Sequence, residues 1–321
     1  MIPRPPPREG SLGFLYVPPL RVQGTSVAGE ATVVGVPELD ICFDMGQCPR
    51  AMLASKYVAI SHGHMDHVGG LAYYCSQRVF QGMGPGTIVC DARIAGAIRG
   101  MMAGYVELER QVTPFELIEL EPDGQVQIKN NILLRGFPVE HTVPAFGYAV
   151  VERRSKLRAE YLGLPQEKLK ELKDRGVEIT RTLEVPLVAY LGDTAPGPQL
   201  VREEVRQAQV VIAECTFTEP DHKARAKVGM HMHADDVAEW LGVLECQALV
   251  LIHVSRRTNL LEARRMIEKR VGPERAARLH LLMDHRANRE RYEHQEAEAA
   301  RLGAAQTAAA GAPDADASAG G

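Results

Sequence analysis

The 321-residue sequence predicts an α/β protein in which helices cover the outer sides of sheets. Three observations lead there. Short apolar runs of strand length recur along the chain. In the later part, patterns with helical period separate them. The early part is rich in strands and poor in helix, an arrangement that suits one domain or two similar halves.

The strand runs are residues 33–36, 41–43, 57–60, 88–90, 132–137, 148–151, 187–191, 210–213 and 248–253. Helical patterns occupy residues 93–104, 199–206, 234–242 and 260–270. Residues 1–12, rich in proline and arginine, read as a flexible N-terminus, and residues 13–295 as the folded domain. Residues 296–321 drift into alanine, glycine and aspartate. They hold too little bulky apolar surface to offset their ordering entropy and read as a disordered tail. Residues 153–175 interrupt two strands with a strongly charged segment rich in lysine and arginine. Charge alone allows either a solvated surface helix or a basic arm that grips a polyanion.

Composition narrows the function. Apolar and charged fractions are those of an ordinary globular protein. No apolar run is long enough to span a membrane, and the first residues lack the apolar core of a secretory signal. Six scattered cysteines without a Cys-x-x-Cys pair fit a reduced cytoplasm, and argue against a disulfide framework or a structural zinc site. The formal net charge of −4 means that a nucleic-acid partner would need a local basic surface.

The strongest chemical signal is Ser61-His62-Gly63-His64-Met65-Asp66-His67. An apolar strand ends at Ile60, and four potential ligands follow within six residues. Imidazole nitrogen and carboxylate oxygen suit zinc and need no thiolate. Strand alternation would throw His62 and His64 to one side and turn Asp66 and His67 elsewhere, an arrangement able to feed two metals. Further ligands must come from other strand ends. His141, Asp193 in Leu-Gly-Asp-Thr, and His253 each follow an apolar run. Singly, each reads as a cap or turn residue; together with the first run they make seven ligands, which suits a dinuclear site.

This order of ligands resembles that of the metallo-β-lactamase superfamily, whose fold is an αββα four-layer sandwich. The resemblance spans roughly residues 30 to 260. It implies that His62, His64 and His141 hold one zinc, that Asp66, His67 and His253 hold the other, and that Asp193 bridges them. Histidine and carboxylate sites also accept manganese or iron.

Within the superfamily, further segments resemble ribonuclease Z, the transfer-RNA 3′-endonuclease, in its short plant-type form. They are Phe43-Asp44-Met45-Gly46, Phe137-Pro-Val-Glu-His141, Glu214-Cys-Thr-Phe217, His231-Met-His-Ala-Asp-Asp and His253-Val-Ser-Arg-Arg257. The resemblance implies a cytoplasmic zinc-dependent endoribonuclease, commonly a homodimer, that removes the 3′ trailer of precursor tRNA by hydroxide attack on a phosphodiester. Asp66 would orient or deprotonate the attacking water. His231, polarised by Glu214, would donate a proton to the leaving 3′-oxygen, because a carboxylate-paired imidazole keeps its proton more readily. Arg257 would neutralise a phosphate through its planar fork. On the residues alone, Glu214 also reads as a strand-end carboxylate, His231 as the neighbour of a helix N-cap, and Arg257 as a surface residue.

Three departures bear on the substrate. The Pro-x-Lys-x-Arg-Asn loop of that family is missing from residues 22–30, the Gly-Pro arm is replaced by residues 153–175, and His-Ser-Thr becomes His231-Met232-His233. The alternative reading is a hydrolase of a small phosphodiester, ester or thioester on the same fold. A binding protein that kept the fold is a third, disfavoured by the full set of ligands.

Overall fold

Apolar runs that must be buried on both faces form the centre of two sheets. Tyr57–Ile60, Val210–Glu214 and Ala248–Ile252 are such runs, and each pairs in parallel with its neighbours. The computed structural model describes residues 2–4 and 12–310. The first sheet contains β1 (Gly13–Val17), β2 (Leu20–Val27), β3 (Ala31–Val36), β4 (Ile41–Phe43), β5 (Tyr57–Ile60), β6 (Gly86–Asp91) and β7 (Phe115–Leu120), in chain order. Strands β1 to β4 are antiparallel and β4 to β7 parallel. The parallel connections carry helices α1 (Met65–Val68), α2 (Leu71–Phe80) and α3 (Ala92–Glu109).

The second sheet repeats the plan. Strands β8 (Gln125–Lys129), β9 (Ile132–Pro138), β10 (Phe146–Leu157) and β11 (Thr180–Tyr190) are antiparallel. Strands β12 (Val210–Glu214), β13 (Ala248–Ile252) and β14 (Leu279–Leu281) then continue in parallel. Helix α4 (Gln166–Asp174) lies between β10 and β11, and α5 (Glu203–Arg206) precedes β12. Helices α6 (Lys223–Gly229) and α7 (Ala234–Leu241) join β12 to β13. Helices α8 (Leu260–Val271) and α9 (Pro273–Ala276) join β13 to β14, and α10 (His285–Ala310) follows.

Burial arranges these into four layers. Val22, Val34 and Phe43 of the first sheet meet Tyr148, Val188 and Ile212 of the second in one core. A second core sits under α7 and α8, and a third under α2 and α3. The αββα sandwich expected from the resemblance is the fold observed. Two tyrosines tie the sheets together: Tyr148 Oη donates to the Ile60 carbonyl at 2.7 Å, and Tyr190 Oη to Asp44 at 2.5 Å. Among the described residues, no helix is long and apolar enough to cross a membrane.

Several elements differ from the sequence reading. Strands β2, β7, β8 and β14 carry no continuous apolar run of strand length, while β1 (GFLYV) carries one that the sequence reading omits; β1, β7, β8 and β14 are sheet edges and β2 lies next to one, and β7 (FELIEL) and β8 (QVQIK) alternate with polar residues. Residues 199–206 are not one helix. Arg202, at ψ 143°, separates a 3₁₀ turn over Pro198–Val201 from α5. Residues 296–310, read as tail, continue α10. The helix is already started where Tyr292 packs edge-on against Phe14 at 5.6 Å and Gln295 bonds the Tyr16 carbonyl. Extending it through alanines then costs little, since nucleation is the expensive step and alanine the best helix former. Residues 311–321, and most of residues 1–12, lie outside the described residues.

The segment at residues 153–175 is neither a simple helix nor a loop. Strands β10 and β11 continue past the core as a paired ribbon from Glu152↔Val185 to Leu157↔Thr180, and α4 closes its end with no buried residue. Arg153, Arg154 and Arg158 pair with Glu184, Glu152 and Glu178. Among the described residues, Lys156, Lys170, Lys173, Arg175 and Arg181 have no ion pair.

One glycine joins the sheet to the loop that follows β5. A Cβ at Gly46 would lie 1.8 Å from the Asp66 carbonyl oxygen, and the same loop is knitted by Met45 N–H to His67 O at 2.8 Å. Gly46→Ala is therefore expected to destabilise the fold by about 1–3 kcal/mol, the usual cost of forced overpacking. It should also lower bound metal per chain. Urea unfolding together with metal analysis checks both, and a wild-type midpoint would contradict the close approach.

Candidate metal centre

All seven sequence-predicted ligands meet at one end of the sandwich, where strands of both sheets terminate. Strand β5 delivers His62, which is fully buried. His64 lies at the N-cap of α1, and the first turn of that helix carries Asp66 and His67. His67 is not turned away from His62 as strand alternation suggested: the two rings lie side by side, with centroids 4.1 Å apart. From the second sheet, His141 follows β9, Asp193 follows β11, and His253 follows β13. Gly192, at φ +60°, makes the turn into Asp193, and a Cβ there would meet Ser61 Cβ at 2.7 Å. His253 holds a left-handed φ of 54° although it is not glycine, and its N–H is tied to Ser26 Oγ at 2.9 Å.

Among the described residues, ligand atoms cluster in four overlapping trios, two of them His62, His67 and Asp193, and Asp193, His231 and His253. In the other two, the ligand atoms of His62, His64 and His141 lie within 4.8 Å of one another, as do those of Asp66, His67 and His253. Asp193 sits between these last two. Its Oδ2 is 3.3 Å from His253 Nε2, 3.5 Å from His67 Nε2 and 4.0 Å from His62 Nε2. The other ring nitrogen of each histidine is engaged. His62 Nδ1 donates to Ser61 Oγ (3.0 Å), His67 Nδ1 to Asp44 (2.8 Å), His141 Nδ1 to Met230 O (3.2 Å) and His253 Nδ1 to Thr216 Oγ1 (2.9 Å). Since Ser61 Oγ and Thr216 Oγ1 give their own protons to carboxylates, all four rings turn Nε2 toward the centre; His67, held charged by Asp193 and Asp44, would give up the proton on its Nε2 to a cation. His64 presents Nδ1 instead, 2.9 Å from His62 Nε2 and 3.4 Å from His141 Nε2.

The residues fit a divalent metal. Buried imidazole and carboxylate groups converge with their ligating atoms toward one another. His67 Nε2 and Asp193 Oδ1 are buried without a hydrogen-bond partner, a cost that a cation would remove. The electrostatics agree. Burial, aided by the His67 charge, pushes His62 down to about 2, so its imidazole is neutral and able to ligate. Burial opposes a charge on His67, but Asp193 and Asp44 outweigh it and hold its pKa well above the ordinary value. Burial would likewise raise Asp193, yet facing His253 and His67 keep it well below the usual carboxylate range.

A second constellation adjoins the ligands. Glu214, wholly buried at the end of β12, accepts from His231 Nδ1 at 2.7 Å, Thr194 N at 2.8 Å and Thr216 Oγ1 at 2.6 Å. The His231 ring stacks on His253 with centroids 5.5 Å apart. Burial lowers the His231 pKa, but the bond and charge of Glu214 more than offset this and raise it above the ordinary histidine value. Its Nε2 stays free to hold a proton.

Arg257 is not brought into this group. Its side chain is exposed and makes no contact among the described residues; only its N–H bonds Ser255 Oγ. His233 is buried and caps α7, its Nδ1 accepting from Asp235 N while Asp236 accepts from its own N–H. The sequence reading assigned no role to Asp44, Ser61, Thr216 or Tyr190, which hold the ligands in place. The available signal was chemical: a ligating histidine needs a partner for its second nitrogen, and Asp44 and Thr216 follow β4 and β12, which pair with the ligand-bearing strands β5 and β13.

Comparisons with known proteins agree with this geometry. The family model of the beta-lactamase superfamily domain matches residues 43–254. The chain is 31% identical to tRNase Z TRZ1 of Arabidopsis thaliana over 244 residues, 75% of this chain and 87% of that protein. It is 33% identical to the nuclear ribonuclease Z of Triticum aestivum over 162 residues, covering 50% of this chain and 92% of that protein. Among solved structures, the short form of human tRNase Z superposes with a TM-score of 0.53 at 18% identity, over 84% of this chain and 95% of that one.

Removing a positioning partner should weaken metal binding without unfolding the sheets. Asp44→Asn is expected to lower metal affinity about 10–100-fold. His64→Ala and Asp193→Ala should lose one or more metals per chain while keeping the circular dichroism of the parent. Metal analysis after competition with a chelator measures both effects, and wild-type metal content in Asp193→Ala would exclude a shared site.

Proposed function

The chain belongs to the ribonuclease Z family of the β-lactamase superfamily, and from that premise we propose that it is a zinc-dependent endoribonuclease that removes the 3′ trailer of precursor tRNA. The observation that carries the proposal is the Glu214–His231 pair, a proton donor set at 2.7 Å beside seven converging ligands. Hydrolysis of a phosphodiester needs such a donor, because the leaving oxygen departs as an alkoxide unless protonated.

Two bound divalent ions would lower the pKa of a water toward neutrality and stabilise charge on the attacking and leaving oxygens. His62, His64 and His141 would hold one, Asp66, His67 and His253 the other, and Asp193 both. Burial acts to raise the Asp66 pKa, but the His253 bond and the His67 charge hold it at about 2. Asp66 thus stays ionised, and in this reading it orients or deprotonates the attacking water. Gly29 N–H, 3.0 Å away, fixes its Oδ2. Attack on phosphorus breaks the bond to the 3′-oxygen. The His231 Nε2 proton passes to that oxygen, giving a 3′-hydroxyl on the tRNA and a 5′-phosphate on the trailer. Thr194 and Thr216 keep Glu214 aimed at His231 Nδ1 throughout.

RNA binding falls to the ribbon and α4, whose unpaired lysines and arginines project from the core. Duplex RNA is recognised mainly through its backbone and shape, so charge at a distance from the site is useful. In this reading the protein is a cytoplasmic homodimer in which the arm of one subunit holds RNA for the other. Exposed Tyr73 and Phe80 of α2 and Tyr105 and Leu108 of α3 offer apolar surface for that contact.

A second reading, hydrolysis of a small phosphodiester, has one observation in its favour. Residues 28–30, in the segment where the recognition loop is missing, form a tight turn packed on the site: Gly29 reaches Asp66 and Glu30 pairs with Arg256.

Purified protein is expected to cut a 3′-extended precursor tRNA at the acceptor-stem end and to lose this activity with a chelator. Turnover of bis(p-nitrophenyl) phosphate with the RNA left intact would select the second reading. His231→Ala should lower kcat on the precursor about 10²–10⁴-fold with metal content unchanged. A variant lacking residues 158–173 should show a raised KM for the precursor and unchanged hydrolysis of the small diester. Equal losses on both substrates would argue against an RNA-binding arm.

A further inference from the structure

Residues 217–231 ligate nothing, yet they are built around His231. Phe217, half-buried after β12, sets its ring edge-on to His231, with centroids 6.0 Å apart at 67°. Its backbone is pinned by Ala234 N–H, which donates to Phe217 O at 2.9 Å. The 3₁₀ turn Pro220–His222 brings His222 against the same ring at 5.8 Å and 76°. Helix α6 then lays the Arg225 guanidinium over Phe217, 5.6 Å from the ring centroid. The helix is held to the site by His231 N–H, which donates to Ala226 O at 2.9 Å, and by Gly229, where a Cβ would come 3.0 Å from His231 Cδ2.

Arg225 is oriented but unsatisfied. Its contact with a polar atom is Nη1 to His222 Nε2 at 3.4 Å, and it has no carboxylate partner among the described residues. Lys223 and Arg270 pair with Asp235, and Arg256 with Glu30, whereas Lys227 of the same helix has no ion pair and no aromatic ring beneath it among the described residues; ring stacking is what sets Arg225 apart. A guanidinium fixed by ring stacking has lost its rotamer freedom in advance and keeps most of its five donors in a planar fork suited to phosphate.

We propose that Arg225, held by Phe217 and His222, binds the phosphate on the 5′ side of the nucleotide whose 3′-oxygen leaves. The assignment rests on His231 as the donor to that oxygen. Arg225 is linked to His231 through a single ring, Phe217, whose centroid lies 6.0 Å from that of His231 and 5.6 Å from the guanidinium, so a phosphate bound by Arg225 is within one nucleotide's reach of a 3′-oxygen at His231 Nε2. A small diester without that second phosphate makes no use of the contact.

The probes are the dinucleotides pUpU and UpU, which differ only in that 5′-phosphate, used as competitive inhibitors of bis(p-nitrophenyl) phosphate hydrolysis by the full-length, metal-loaded protein. For the wild type, pUpU is expected to inhibit about tenfold more tightly than UpU, the gain of one charge-assisted contact. Arg225→Ala should remove the difference and leave hydrolysis of the chromogenic diester unchanged. Arg225→Lys should restore part of it, since a point charge lacks the fork. In parallel, Arg225→Ala should raise KM for precursor tRNA and flatten the slope of log(kcat/KM) against log salt by about 0.7–1. A preference for pUpU that survives in Arg225→Ala, or is missing from the wild type, would overturn the assignment. Wild-type protein that leaves precursor tRNA intact but keeps an Arg225-dependent preference would sink the tRNA reading and keep this one.

Discussion

The Asp44 carboxylate is the point on which the site depends. It is fully buried between the sheets and accepts from Ser61 N at 2.7 Å, Ser61 Oγ at 2.8 Å, His67 Nδ1 at 2.8 Å and Tyr190 Oη at 2.5 Å. A carboxylate this deep is tolerable only because every donor is supplied. The same bonds join the end of β5, a ligand histidine and a tyrosine of the opposite sheet. Loss of any one of them leaves a buried acceptor short and frees a metal-binding side chain to turn. Fold stability and ligand orientation are therefore the same interaction seen from two sides.

The repeated plan of the two sheets explains why ligands far apart in sequence converge. In each sheet the chain runs through an antiparallel series and then a parallel one, so that C-terminal strand ends accumulate on one edge. Ligand crevices in α/β folds lie beyond such ends. Strand β5 contributes His62 and its following turn, while β11, β12 and β13 contribute Asp193, Glu214 and His253. Facing the sheets across a single apolar core brings the two sets within reach, and the left-handed backbone at His253 shows the adjustment needed to aim the last ring.

The chain as a whole is slightly acidic, and basic groups without an ion pair among the described residues are spread over its surface, several on the ribbon and α4 and others at Arg225, Lys227, Arg257 and Arg265. Surface ion pairs at Glu152, Glu178, Glu184 and Glu30 neutralise several neighbouring arginines and contribute little to stability in themselves. On the projecting arm they still leave Lys156, Lys170, Lys173, Arg175 and Arg181 without an ion pair.

Reading the sequence alone located nine strand runs and the seven side chains that converge at one end of the sandwich, because a fully buried strand must be continuously apolar and a candidate metal ligand must be histidine, cysteine or a carboxylate. The ligand run after Ile60 needed no fold to be recognised. Strands such as β7 and β8 were illegible, since on a sheet edge propensity is weak and neighbours decide. Helix over residues 296–310 was missed because composition measures the lack of a core, whereas packing of Phe14 on Tyr292 had already started the helix. Tautomers were likewise beyond reach: which nitrogen His67, His141 and His253 offer depends on Asp44, Met230 and Thr216, each far in sequence from the ring it serves, and Ser61 sets the adjacent His62 only because its own proton goes to Asp44. His233 is a cap because α7 begins there, and Arg257 points to solvent because its loop turns away. Chemical identity of the site was thus a property of residue types in order, while its geometry, its second shell of donors and the placement of Arg225 over Phe217 arose only when two sheets closed on one another.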